Sequence, residues 1–172
     1  PHHRSSAASD VYKRQHSTST IVTTGKADTA GGSVTVTTAV RDPGSGNTTG
    51  NIVIGGDITT SGGAASSSSA GKAGGAVSLE ATGAGTLTIS TNADIVSTGS
   101  AANGGNNNGG AGGAVTLNTA NTAITLNDTS IQTGGGALAG SGTAGAGGTI
   151  TISDPLTLAT GGVTLDTGTT AG

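Results

Sequence analysis

Aliphatic residues in this chain come in short alternating runs, and the runs recur. The phrase Gly-Gly-x-(Val/Ile)-(Thr/Ser)-(Val/Leu/Ile) stands at Gly31-Gly32-Ser33-Val34-Thr35-Val36, Gly74-Gly75-Ala76-Val77-Ser78-Leu79, Gly112-Gly113-Ala114-Val115-Thr116-Leu117 and Gly147-Gly148-Thr149-Ile150-Thr151-Ile152, spaced by 43, 38 and 35 residues. Two aliphatics around one residue follow each copy, as Ile52-Val53-Ile54, Leu87-Thr88-Ile89, Ile124-Thr125-Leu126 and Leu156-Thr157-Leu158. A third phrase reads Ile21-Val22-Thr23-Thr24-Gly25, Asp57-Ile58-Thr59-Thr60-Ser61-Gly62, Asp94-Ile95-Val96-Ser97-Thr98-Gly99 and Ser130-Ile131-Gln132-Thr133-Gly134, with Val163-Thr164-Leu165-Asp166-Thr167-Gly168 a looser fifth copy. Its first four copies lie 37, 37 and 36 residues apart.

Alternation of aliphatic with Thr or Ser is the period of a strand that buries one face, and the β-branched content agrees. Each period therefore predicts three short strands bounded by Gly, Asn, Asp or Ser turns, then a Gly/Ala/Ser/Asn excursion over residues 61–73, 100–111 or 135–146. A fixed period of this kind signals a repeat architecture in which one period is one coil. Stacked coils pair their strands in parallel and align inward residues in columns. The expected columns are Val34, Val77, Val115, Ile150; Ile54, Ile89, Leu126, Leu158; and Ile21, Ile58, Ile95, Ile131. Four coils and part of a preceding one make an all-β solenoid about 20 Å long, with open strand edges at its ends. A disordered low-complexity tract is the alternative that the Gly-rich excursions suggest, but disorder does not require aliphatics to recur in phase in three registers.

Composition supports an elongated body. The 172 residues include 34 Gly and one Tyr, with no Phe, Trp, Met or Cys, so burial rests on thin layers of Val, Ile and Leu. A net charge of −3 with only six Lys and Arg offers no basic stripe for nucleic acid. No apolar run is long enough to span a bilayer as a helix. The lack of Cys excludes disulfides and thiolate metal sites. The chain starts at Pro1 without a leader, and reads as an internal fragment.

Residues 1–16 break the composition: they have no Gly and hold all three His, the Tyr and three of the six basic residues. The string SSAASDVYKRQ within them resembles translated sequencing-adapter read-through, so residues 1–16 are set aside as a non-native disordered tail and the repeat region is 17–172. His2, His3 and His16 lack the regular spacing and acidic partner of a metal site.

Candidate chemistry is sparse. Beyond the tail there is no His, and nucleophilic or zinc catalysis has neither base nor ligand set. Asp57 and Asp94 fall in phase, and stacked on adjacent coils two carboxylates can share a calcium ion or act as acid and base beside Lys26, Arg41 or Lys72. The structural reading is that each Asp enters a strand from a turn and bonds its own backbone. Asp128 lies two residues off that register. Gly71-Lys72-Ala73 and Gly25-Lys26-Ala27 lack the hydroxyl residue of a P-loop, and Gly140-Ser141-Gly142-Thr143-Ala144-Gly145 matches a dinucleotide fingerprint with no helix to follow it. No catalytic, cofactor or metal residue is assigned. The outward Thr residues Thr35, Thr88, Thr116, Thr125, Thr151 and Thr157 are soluble β-formers. An ice-ordering face needs a regular Thr-x-Thr on one strand of every coil, as at Thr86-Leu87-Thr88, but the corresponding triplet before Ile54 is Asn51-Ile52-Val53 and later ones are Thr-poor on one side or broken by Pro155. Asn47-Thr48-Thr49 and Asn127-Asp128-Thr129 fit the glycosylation pattern at the rate an Asn/Thr-rich chain gives by chance, and Asp42-Pro43-Gly44 reads as a turn in an insertion.

The Gly-Gly-x-Val-Thr-Leu strands, Asp-Ile-x-Thr strands and Gly/Ala/Ser loops resemble the repeat regions of filamentous-haemagglutinin-like and related β-strand-repeat surface adhesins, over residues 17–172. The resemblance implies a right-handed parallel β-helix exported to the bacterial surface or medium. It further implies a stalk and contact surface in cell adhesion, without catalytic residues or cofactor, facing a host or cell-surface ligand such as a glycan. A carbohydrate-active β-helix enzyme and an ice- or surface-binding solenoid are the alternatives. The flanking reading frame is the observation that would best separate these classes.

Overall fold

A computed structural model describes residues 20–38, 50–159 and 161–169. The tail, Arg41, the Asp42-Pro43-Gly44 turn and Asn47 lie outside them. Among the described residues there are thirteen strands and no helix.

The strands repeat in threes. The first sheet stacks β2 (Val34–Thr37), β5 (Val77–Ala81), β8 (Val115–Thr119) and β11 (Ile150–Ile152). A second stacks β3 (Ile52–Ile54), β6 (Leu87–Ile89), β9 (Ile124–Leu126) and β12 (Leu156–Leu158). The third stacks β1 (Ile21–Val22), β4 (Ile58–Thr59), β7 (Ile95–Val96), β10 (Ser130–Gln132) and β13 (Thr164–Asp166). Every pairing between these strands is parallel, and each joins a strand to its counterpart one coil away. The molecule is a parallel β-solenoid of about four coils.

The pairings reproduce the expected columns: Val34, Val77, Val115 and Ile150 align, as do Ile54, Ile89, Leu126 and Leu158. Ile21, Ile58, Ile95 and Ile131 form the third column, which Leu165 of the looser fifth copy extends. Burial alternates along the central strands, so that Val77, Leu79 and Ala81 of β5 point inward while Ser78 and Glu80 remain partly exposed. The outward Thr residues behave accordingly: Thr35 and Thr151 are exposed, and Thr88, Thr116 and Thr125 are half-buried.

Corners between strands use small polar residues in the left-handed region. Asn92, Asn121 and Asp128 have φ of 59°, 63° and 43°, a conformation that Asn and Asp tolerate better than other side chains do. The interior is closed in the middle coils and open at the last one. Leu156, Leu158 and Leu165 occupy inward registers yet are 40%, 58% and 47% exposed, because no described coil stacks beyond them.

Candidate functional site

Asp57 and Asp94 stand one residue before Ile58 and Ile95, which are paired, so the two carboxylates stack on the outer rim of the third sheet. One oxygen of each carboxylate is engaged by the fold. Asp57 Oδ1 accepts the Asp94 N–H at 3.0 Å, and Asp94 Oδ1 accepts the Ser130 N–H at 2.8 Å. The expectation that each Asp bonds its own backbone is corrected here: each side chain reaches up one coil and holds the start of the next strand. The reason is geometric: the N–H of the residue just before the column isoleucine, Asp94 or Ser130, faces the coil below, whereas the isoleucine's own N–H faces the coil above, as Ile58 N–H does toward Asp94 O at 2.8 Å. Among the described residues Asp166 alone keeps the local form, accepting from Gly168 N–H at 2.8 Å. Asp128, off register as expected, takes the Gly162 N–H at 3.2 Å.

Neither Lys26 nor Lys72 joins the Asp57–Asp94 pair. Lys72 Nζ lies 4.0 Å from Asp28 Oδ1, the one ion pair among the described residues. Asp28 Oδ1 also accepts the Ser66 N–H at 3.1 Å. The Ser66 hydroxyl, then its backbone N–H, hold the Asp28 carboxyl below the usual carboxylate range, with smaller help from Ser69 and Lys72. Asparagines extend the same device, Asn51 Oδ1 accepting from Thr86 N at 2.9 Å and Asn108 Oδ1 from Thr143 N at 2.8 Å.

A second set of groups was overlooked in the sequence. Thr60, Ser97 and Thr133 are fully buried at the inward position two residues after the column isoleucines. There they close the neck of each excursion. Gly75 N–H donates to Thr60 O at 2.6 Å while the Thr60 hydroxyl donates to Gly75 O at 2.7 Å; Gly148 and Thr133 repeat the exchange at 2.6 and 2.8 Å. The signal was present, since every copy of the third phrase has Thr or Ser there: Thr23, Thr60, Ser97, Thr133 and Thr167. Buried hydroxyls persist only with a partner, and among the described residues no buried side-chain N or O lacks one.

The excursions, whose order the sequence left open, form a hydrogen-bonded wing. Outgoing limbs stack on outgoing limbs through Gly62 N–H to Thr98 O and Gly99 N–H to Gly134 O, both 2.9 Å. Returning limbs do the same through Gly74 N–H to Ala111 O and Gly112 N–H to Ala146 O, also 2.9 Å. The two layers are bridged by Ser100 N–H to Lys72 O and Gly110 N–H to Ser100 O at 2.9 Å, and by Gly136 N–H to Gly110 O at 2.8 Å. These limbs are neither helix nor strand. Successive N–H groups along a limb go to different neighbours: Gly110 to Ser100 O, Gly112 to Ala146 O and Gly113 to Ser97 O. A Cβ on Gly110 would overlap Lys72 O, and one on Gly136 would overlap Ser100 O. The layers meet only because those Cβ atoms are missing.

The fingerprint-like Gly140–Gly145 stretch is a loop at the wing tip, with Gly142 N–H turned back to Ala139 O at 3.0 Å. A shallow hollow of about 330 Å³ lies on the third sheet's outer face, where Val96, Thr98, Gln132 and Asp166 meet the glycines at the wing base. Among the described residues no three His, Cys, Asp or Glu side chains converge as a metal site, and no helix is long and apolar enough to cross a membrane.

These features define the chain as a parallel β-solenoid with a lateral glycine wing. Comparison with protein-family models, curated proteins and solved structures found no match to it.

Proposed function

We propose that this chain is a structural and interaction segment of a large secreted or surface-displayed bacterial adhesin, serving as stalk and contact surface. What supports the reading is the employment of Asp57 and Asp94: the in-phase acids that an enzyme would use as acid and base instead hold successive coils together. Outward positions carry short Thr, Ser, Asn and Val side chains, a surface suited to extended, shallow contact. The likeness of its repeats to filamentous-haemagglutinin-like exoproteins agrees, and so does a coil that lengthens the body without altering the one below.

The experiment is retention of the labelled chain on cell surfaces and immobilised polysaccharides, with release of reducing ends followed on the same polysaccharides. Retention without release is the expected result. Cleavage abolished by Asp94→Asn would replace this reading with the carbohydrate-active enzyme, and retention on none of the surfaces would remove the contact role.

A further inference from the structure

The wing tip carries the two Asn-Gly pairs of the chain, Asn103-Gly104 and Asn108-Gly109. In such a pair the glycine nitrogen can attack the amide carbon of the preceding side chain, because no Cβ obstructs the approach. A bond forms between the Gly nitrogen and Asn Cγ, the Cγ–Nδ2 bond breaks, and ammonia leaves with the glycine's proton. Water then opens the resulting succinimide to aspartate or isoaspartate. No other reactant is consumed.

We propose that Asn103 is a site of spontaneous deamidation and that the wing shields Asn108 from the same reaction. At Asn108 both reacting groups are tied to one residue of the next coil: Asn108 Oδ1 accepts the Thr143 N–H at 2.8 Å, and the would-be nucleophile Gly109 N–H donates to Thr143 O at 2.9 Å. The carbonyl between them accepts Gly71 N–H at 2.9 Å, which fixes the peptide plane within the returning layer. Attack there requires opening the lattice on both sides.

Asn103 sits where the outgoing limb leaves the lattice. Its Nδ2 makes one exposed bond, to Ala65 O at 3.2 Å, and its N–H donates to Ser69 O at 3.0 Å. Gly104 N–H, the nucleophile, has no partner among the described residues. Gly104 and Gly105 then turn through φ of 65° and 60°, a path that keeps this peptide exposed and outside the layers. The product has consequences for the tip. A carboxylate cannot donate to Ala65 O, and isoaspartate adds a main-chain carbon after the Cα of residue 103, which displaces the turn through Gly104 and Gly105.

The test is incubation of the chain at mildly alkaline pH, in native buffer and in concentrated urea, with peptide mass mapping of both pairs over time and circular dichroism on each sample. In native buffer Asn103 should convert about tenfold faster than Asn108, the ratio expected when roughly one additional net hydrogen bond must open. In urea the two should convert at similar rates. Equal rates in native buffer would overturn the proposal, and so would a preference for Asn103 that survives in urea, since local sequence rather than the wing would then be its cause.

Discussion

Ile95 lies fully buried between Ile58 and Ile131, and its side chain has no route to water. Ile95→Asp forfeits on the order of 1.5 to 3 kcal/mol of burial and strands a carboxylate without a partner, which costs more. Loss of the β-sheet circular dichroism signal or aggregation is the expected outcome; a melt at the wild-type temperature would refute the column. Thr125→Ser, on the half-buried outer face, should melt within about 0.5 kcal/mol of wild type. Asp94→Asn should also be mild, because an amide oxygen still accepts the Ser130 N–H, whereas Asp94→Ala should cost about 1 kcal/mol. Thr133→Val tests the neck: it keeps the shape but leaves Gly148 O without the buried hydroxyl, for roughly 1 to 3 kcal/mol by thermal or urea melting.

The wing is an element that ordinary secondary structure does not cover, and its stability depends on absent side chains. Gly136→Ala drives a methyl into the Ser100 carbonyl and should cost about 1 to 3 kcal/mol or split the layers. Gly162→Ala has nothing nearby to meet and should be tolerated, so comparing the two melts separates close packing from a general loss of glycine. The bond network around Asp28 adds a pH dependence. Its folded carboxyl is held below the ordinary range, chiefly by the Ser66 hydroxyl, so its contribution is present above the unfolded pKa and fades as pH falls through the folded one. The difference between wild type and Asp28→Asn in a pH series of melts should therefore be flat near neutrality and shrink in acid below the usual carboxylate range. A difference that grows in acid would contradict the sign of the shift.

At the scale of the whole molecule each coil contacts its neighbours, so stability should behave as a sum of coils and interfaces. Deleting residues 95–130 joins Asp94 to Ile131 and places one third-sheet isoleucine where its paired counterpart stood. The shortened rod should fold with the loss of about one coil and one interface. Deleting residues 95–112 instead joins Asp94 to Gly113, where a column aliphatic is required, and should ruin the stack. Circular dichroism and thermal melting compare the two. Equal tolerance would mean that the period is not a structural coil, and equal collapse would leave the stalk without its modular basis.

The strand count per coil, the parallel pairing and all three aliphatic columns were legible in the sequence, because a buried strand face imposes period two locally and a stacked coil imposes its own period along the chain. Even the buried hydroxyls were written there, two residues past each column isoleucine, although alternation alone cannot say that an inward Thr60 or Thr133 will find a carbonyl. The tertiary structure decided what the polar and glycine residues do. Asp94 looks the same in sequence whether it bonds its own turn, a calcium ion or the next coil, and only stacking brings the Ser130 N–H within 2.8 Å of it. The excursions read as low complexity because their order comes from backbone groups, which every residue carries alike. Whether Gly110 is a flexible link or a lattice point depends on Ser100 and Gly136 lying beside it, a fact of packing that no local pattern encodes.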